Sequence, residues 1–208
     1  MISVRRRAQL GLLAAFCVLA SAMATLVLAP RYSKPVAAAD VGTLAPDFQL
    51  IDTDGRVFTL SQHRGEAVVL FFGSVNSPST AEYNARVERL ARMYASDDRV
   101  RFAAIDVTAL GGDDDRAAID RQRLRSDPQI SRRSFPTLLD DHGSTASRYS
   151  ARETPTFVVI DPHGVVRYRG PFDNSVDLAF ATQPFCAQAL ADVLGGAPTS
   201  AVAGFIRQ

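Results

Sequence analysis

Val68 to Glu82 reads VVLFFGSVNSPSTAE. The run Val68–Phe72 is apolar without a break, as in a central strand covered on both faces. Gly73 and Ser74 end it in a turn. A helix follows, for which Ser77 or Ser79 supplies the N-cap. Tyr83, Val87, Leu90, Ala91 and Tyr94 then recur on one helical face. The turn itself offers Asn76, Ser77, Pro78 and Ser79, and no sulfur.

Outward from this unit, other elements are legible. Gln49–Leu60 alternates apolar positions around Asp54-Gly55 and predicts a hairpin. Val100–Val107 (VRFAAIDV) predicts a second buried strand. Gly111–Asp127 opens on Gly-Gly-Asp-Asp-Asp and continues as a charged helical stretch. Its acidic residues Asp113–Asp115 admit two readings, a metal site or a solvated helix start favoured by the dipole. Phe135–Leu139 is a short apolar segment, and Ala146–Ser150 fits one or two helical turns. Thr156–Ile160, the turn Asp161-Pro162-His163-Gly164 and Val165–Tyr168 form a second hairpin, antiparallel because the connection is short. A last helix covers Phe185–Leu194. Cys186, Ala189, Leu190, Val193 and Leu194 share its core-facing stripe. The order predicts an α/β sandwich with a mixed sheet flanked by helices.

The N-terminus is different in kind. Arg5, Arg6 and Arg7 precede Ala8–Ala29, an uncharged apolar stretch. A membrane-spanning helix needs about 20 such residues, whereas the apolar part of a cleaved signal is usually about 7–15. The segment is therefore expected to be an uncleaved transmembrane anchor. Ala20-Ser21-Ala22 and Ala37-Ala38-Ala39 leave cleavage and secretion open as the alternative. The arginines belong on the cytoplasmic side, which puts the following domain outside the cytoplasm. The expected organisation is a basic segment (1–7), an anchor or signal (8–29), a tether (30–42), one folded domain (43–195) and a C-terminal tail (196–208).

Composition narrows the function. With 23 basic and 22 acidic residues the 208-residue chain carries a net charge of +1, which gives no electrostatic case for nucleic acid binding. Its two cysteines are Cys17, within the apolar N-terminal run, and Cys186. An intramolecular disulfide is not expected if the first lies in a membrane. Cys186 is then a leftover thiol, able to pair with another chain.

Five pieces in order give a family resemblance. Ala45-Pro46-Asp47-Phe48 resembles the opening motif of thioredoxin-like redoxins, the group of thiol-specific antioxidant and thiol–disulfide exchange proteins. Gly55–Gly65 (GRVFTLSQHRG) resembles their second hairpin arm and the short turn after it. Val68–Pro78 is similar to their strand and active-site turn, and Glu153–Phe157 (ETPTF) to their cis-proline segment. Asp161–Gly164 with Tyr168-Arg169-Gly170 resembles their final hairpin. The likeness spans roughly Val41 to Leu194 and implies a thioredoxin-like three-layer sandwich.

It also implies thiol chemistry, which these residues do not supply. Set against a Trp-Cys-Pro-Pro-Cys turn, the cysteine positions are Asn76 and Ser79. A second alignment places Ser77-Pro78 against Cys-Pro and resembles copper-handling members, which need two thiolates and a histidine. His63, His142 and His163 stand at no ligand spacing with a cysteine, so no metal and no cofactor is expected. Thiol exchange requires a thiolate of lowered pKa, which a helix N-terminus helps to supply. Serine or asparagine cannot exploit that field without an adjacent base. Catalytic residues are therefore expected to be absent from the turn, with Cys186 as an outside candidate for a single-cysteine peroxidase. Its helical phase instead predicts a buried, inert thiol. In redoxins the residue before the cis-proline offers its backbone to an extended peptide, which here would be Thr154 beside Pro155. The expectation is a membrane-anchored, extracytoplasmic redoxin-like domain. It would act as a binding or scaffold module toward an extended peptide or an envelope protein. The alternative is an active antioxidant oxidoreductase working through Cys186. Arg152, Glu153, Arg167 and Arg169 are expected to be solvated.

Overall fold

A computed structural model of the chain describes residues 39–107, 122–140 and 143–196. The anchor, the acidic triplet Asp113–Asp115, His142 and most of the tail lie outside these residues. Among the described residues, no helix is long and apolar enough to cross a membrane.

One mixed sheet organises the domain. Its strands are β1 (Gln49–Asp52), β2 (Val57–Thr59), β3 (Ala67–Gly73), β4 (Val100–Asp106), β5 (Thr137–Leu139), β6 (Thr156–Ile160) and β7 (Val166–Gly170), in the spatial order β2-β1-β5-β4-β3-β6-β7. β3, β4 and β5 run parallel; the β1–β2, β1–β5, β3–β6 and β6–β7 pairs are antiparallel. The helices are α1 (Pro78–Met93), α2 (Ser144–Arg148) and α3 (Phe185–Gly195), with helical residues also at 122–126.

Every residue of β3 is buried, which is why its sequence does not alternate. Ala67, Val69 and Phe71 face α1 and α3, among Tyr83, Val87, Leu90, Phe157 and Cys186. Val68, Leu70 and Phe72 face the opposite side, among Phe48, Phe58, Ala146, Tyr149 and Val158. Each such large side chain removed from water contributes about 1.5–3 kcal/mol.

Polar side chains fix the turns. The Asp52 carboxylate accepts hydrogen bonds from the backbone N–H groups of Asp54 and Arg56, both at 2.8 Å, and closes the β1–β2 hairpin. Asp47 accepts from Phe48 N–H at 3.0 Å and Ser61 N–H at 2.9 Å, while Tyr149 Oη donates to the Pro46 carbonyl at 2.7 Å. This is the physical content of the Ala45–Phe48 motif. In the β6–β7 turn, Gly164 has φ +79°, and a Cβ there would lie 0.7 Å from Arg64 Nη1.

Three features extend the sequence reading. The segment Phe135–Leu139 contributes β5, inserted between β1 and β4. The second hairpin arm runs Val166–Gly170 rather than the expected Val165–Tyr168, and its pairing with β6 shifts register at Val159/Ile160. Packing also begins ahead of Thr43: Ala39 is fully buried, and its N–H donates to the Arg148 carbonyl at 2.8 Å.

Candidate functional site

The C-terminal end of β3 carries the turn, and the elements around it converge there. Phe72 pairs with Thr156 and Gly73 with Asp106. The start of β6 and the end of β4 therefore flank residues 74–77. Immediately before β6, the Thr154–Pro155 peptide bond is cis. The sheet thus brings Asn76, Ser77, Pro78 and Ser79 to the same end as Thr154 and Pro155.

Within the turn the polar groups are spent on structure. Ser77 is the N-cap of α1, accepting from Thr80 N–H at 3.4 Å, and Pro78 occupies the first helical turn. Ser74 N–H donates to Thr80 Oγ1 at 3.1 Å, and Asn76 N–H donates to Ser74 Oγ at 3.2 Å. The Asn76 side-chain oxygen accepts from Arg123 at 3.1 Å. Gly73 lets the helix approach: a Cβ there would stand 2.8 Å from Thr80 Cγ2 and 3.1 Å from Phe71. Asn76 is exposed and Ser79 half-buried.

Behind the turn lies a small cavity of about 60 Å³ of mixed lining, with Thr80, Asn84, Asp106 and Arg133 on its polar side and Phe71 and Ile130 on its apolar side. Asp106 is buried and accepts from Val75 N–H at 3.3 Å. Arg133 donates to Thr137 Oγ1 at 2.8 Å and Asn84 Oδ1 at 2.6 Å, with its guanidinium 5.3 Å from the Phe71 ring centroid. Its Nε is buried without a partner among the described residues. Burial pulls the guanidinium pKa down to about 10 despite the nearby carboxylates of Asp106, Asp127 and Glu88. Sequence reasoning missed Thr80, Asp106, Arg123 and Arg133. Only Asp106 left a local signal, an acid closing the apolar run of β4. The arginines arrive from distant segments.

The expected peptide edge has open valences. Among the described residues, no hydrogen bond engages the backbone N–H or C=O of Thr154. Arg152 and Glu153 beside it are exposed. Arg167 and Arg169 are more engaged than a solvated reading suggests. Arg167 Nε donates to the buried Asp161 at 2.7 Å, and Arg169 Nη1 donates to the Ala39 carbonyl at 2.9 Å.

Cys186 sits in the core with no exposed surface, and burial pushes its thiol up to about 12. A thiol so placed is protonated at neutral pH and out of reach of solvent, which opposes the single-cysteine alternative on both requirements of a nucleophile. Among the described residues, no three His, Cys, Asp or Glu side chains cluster as a metal site.

The sheet order, the helix seated on the β3 turn and the cis-proline beside it define a thioredoxin-like domain. Residues 41–169 match the AhpC/TSA family, and the chain belongs to it. Solved structures agree on the fold. An uncharacterized conserved protein of Geobacillus kaustophilus is 27% identical, with a TM-score of 0.66 over 77% of this chain and 85% of that one. A hypothetical protein of Sinorhizobium meliloti is 26% identical, with a TM-score of 0.64 over 77% and 87%. A Chlorobium tepidum protein assigned as thiol:disulfide interchange protein DsbE is 21% identical, with a TM-score of 0.55 over 76% and 98%, a likeness of fold alone. No curated protein matches significantly.

Proposed function

We propose that this redoxin-family domain binds extended polypeptide at the Thr154–Pro155 edge without performing dithiol chemistry. It would do so as a membrane-anchored protein outside the cytoplasm, in envelope redox or protein-quality processes. One observation carries the reading: the turn has no thiol, its side chains are committed to holding its shape, and the unengaged backbone of Thr154 lies beside it. An unpaired N–H and C=O at a sheet end are the groups that strand addition uses. The anchor rests on the length of Ala8–Ala29, and the orientation on Arg5–Arg7.

Two measurements on the full chain test this. Disulfide-reductase and peroxidase assays of the wild type and Cys186→Ser are expected to show no turnover in either; activity that disappears in Cys186→Ser overturns the reading. Anisotropy of a labelled, alkylated unfolded polypeptide is expected to report binding that Thr154→Pro, which removes the free N–H, abolishes. Equal binding by both proteins removes the proposed edge.

A further inference from the structure

Four arginines border one groove, away from the turn. Arg56 stands in the connection between β1 and β2, and Arg125 and Arg133 on the segment that leads into β5. Arg101 is the second residue of β4, whose start pairs with the start of β3, at the end opposite the turn. Between the β1–β2 hairpin and residues 125–137 these side chains line an open groove of about 750 Å³.

The carboxylates in the groove leave that positive charge unanswered. Asp52 is buried, and its carboxylate is taken by the N–H groups of Asp54 and Arg56 within the hairpin. Asp54 alone then faces two guanidiniums, Arg125 at 3.4 Å and Arg56 at 3.5 Å. Both contacts are longer than the about 2.7–2.9 Å of a charged N–H···O bond. Among the described residues, neither guanidinium donates a hydrogen bond. Their side chains are 79% and 56% exposed for Arg56 and Arg125. Arg92 and Arg99 show the contrast: each has its own carboxylate at bonding distance, Glu88 at 2.5 Å and Asp97 at 2.7 Å. Arg101 gives only its Nε to Glu66, at 2.9 Å. Arg133 adds a fixed charge to the wall, held by Thr137 and Asn84 over the rings of Phe71 and Phe135.

We propose that this groove binds a small anion carrying two or more phosphate or carboxylate groups. Arginine offers a planar fork of N–H donors that matches either group two bonds at a time. Arg56 and Arg125 are the forks with donors to spare. Two acid groups are needed to engage both, and Arg101 and Arg133 supply the positive field around them. Asp54 is the competitor that such an anion displaces. The site shares no residue with the Thr154–Pro155 edge, so it stands or falls separately from peptide binding.

Isothermal titration calorimetry of the full chain in nonionic detergent tests this with inorganic pyrophosphate and tricarballylate, and with acetate as the single-charge control. Saturable binding of pyrophosphate, tricarballylate or both is expected, and none of acetate. Which of the two binds assigns the acid group. Arg56→Gln and Arg125→Gln are each expected to raise Kd about five-fold or more. Arg89→Gln removes the same charge from the exposed face of α1 and should leave Kd unchanged. Asp54→Asn frees both guanidiniums and should lower Kd about two-fold or more, a gain that loss of a structural contact does not give. Absence of saturable binding by either polyanion overturns the proposal. Equal weakening by Arg89→Gln reduces the effect to general charge attraction and overturns it too. Unchanged or weaker binding in Asp54→Asn removes Arg56 and Arg125 as the receiving pair, with the same result.

Discussion

Single side chains decide what this domain can do. The helix N-terminus at residues 76–79 is the field in which a redoxin lowers a thiol pKa. Sulfur is missing there, so restoring it should restore reactivity. Asn76→Cys with Ser79→Cys is expected to form a reducible disulfide and to gain insulin-reductase activity, with Asn76→Cys alone labelling faster than a free thiol at pH 7. Insertion of both cysteines with no gain would mean that the turn no longer has a redoxin's geometry. Arg86 is decisive in another way. It lies on α1 yet is buried, paired to Asp173 across the fold. Removing one partner of such a pair leaves a buried charge, so Arg86→Met should cost about 3–5 kcal/mol in urea unfolding. The Cys186 phase was readable from the periodicity of α3, because burial on a helix face repeats with the turn. Arg86 was not, because its partner stands outside its own helix and no local pattern marks an arginine that folds inward.

At the level of elements, the junction of β3 and α1 sets the tightest tolerance. Gly73 has no room for a methyl group, because Thr80 approaches to cap the turn. Gly73→Ala is expected to lose about 1–3 kcal/mol by thermal or chemical unfolding; an unchanged midpoint would show that α1 can retreat freely. This junction, the Asp54-Gly55 hairpin and the Ser77 cap were all legible, since each depends on residues within a few positions of one another. β5 was not. Its three residues become a strand only because β1 and β4 leave a gap between them. The cap of α2 was hidden for the same kind of reason. Buried Asp140 accepts from the N–H groups of Thr145 and Ala146 at 3.1 and 2.7 Å, which no run of apolar residues announces.

Over the whole molecule, stability is tied to acid pH. Burial works against the charged forms of Glu66, Glu88 and Asp161, but hydrogen bonds and arginine partners outweigh it. For Asp161 these are Val165 N–H and Arg167; for Glu66, Arg101 and His63; for Glu88, Ser134 and Arg92. All three carboxyls sit below their ordinary range. Because the folded pKa values are depressed, this stabilisation is complete above the unfolded value of about 4 and is lost as pH falls through the folded ones. Urea midpoints measured from pH 7 to 2 should therefore drop below about pH 4, and Asp161→Asn should shallow that fall. An unchanged slope would assign the acid response to other groups. The fold as a whole was readable because its motifs are local and follow one another in order; the site was readable only as an absence. The sealed thiol of Cys186 has one last consequence. In a Cys17→Ser background, a maleimide can reach sulfur only when α3 lifts from the sheet. Labelling speed then becomes a clock for transient opening of the core, carried by the protein without any added probe.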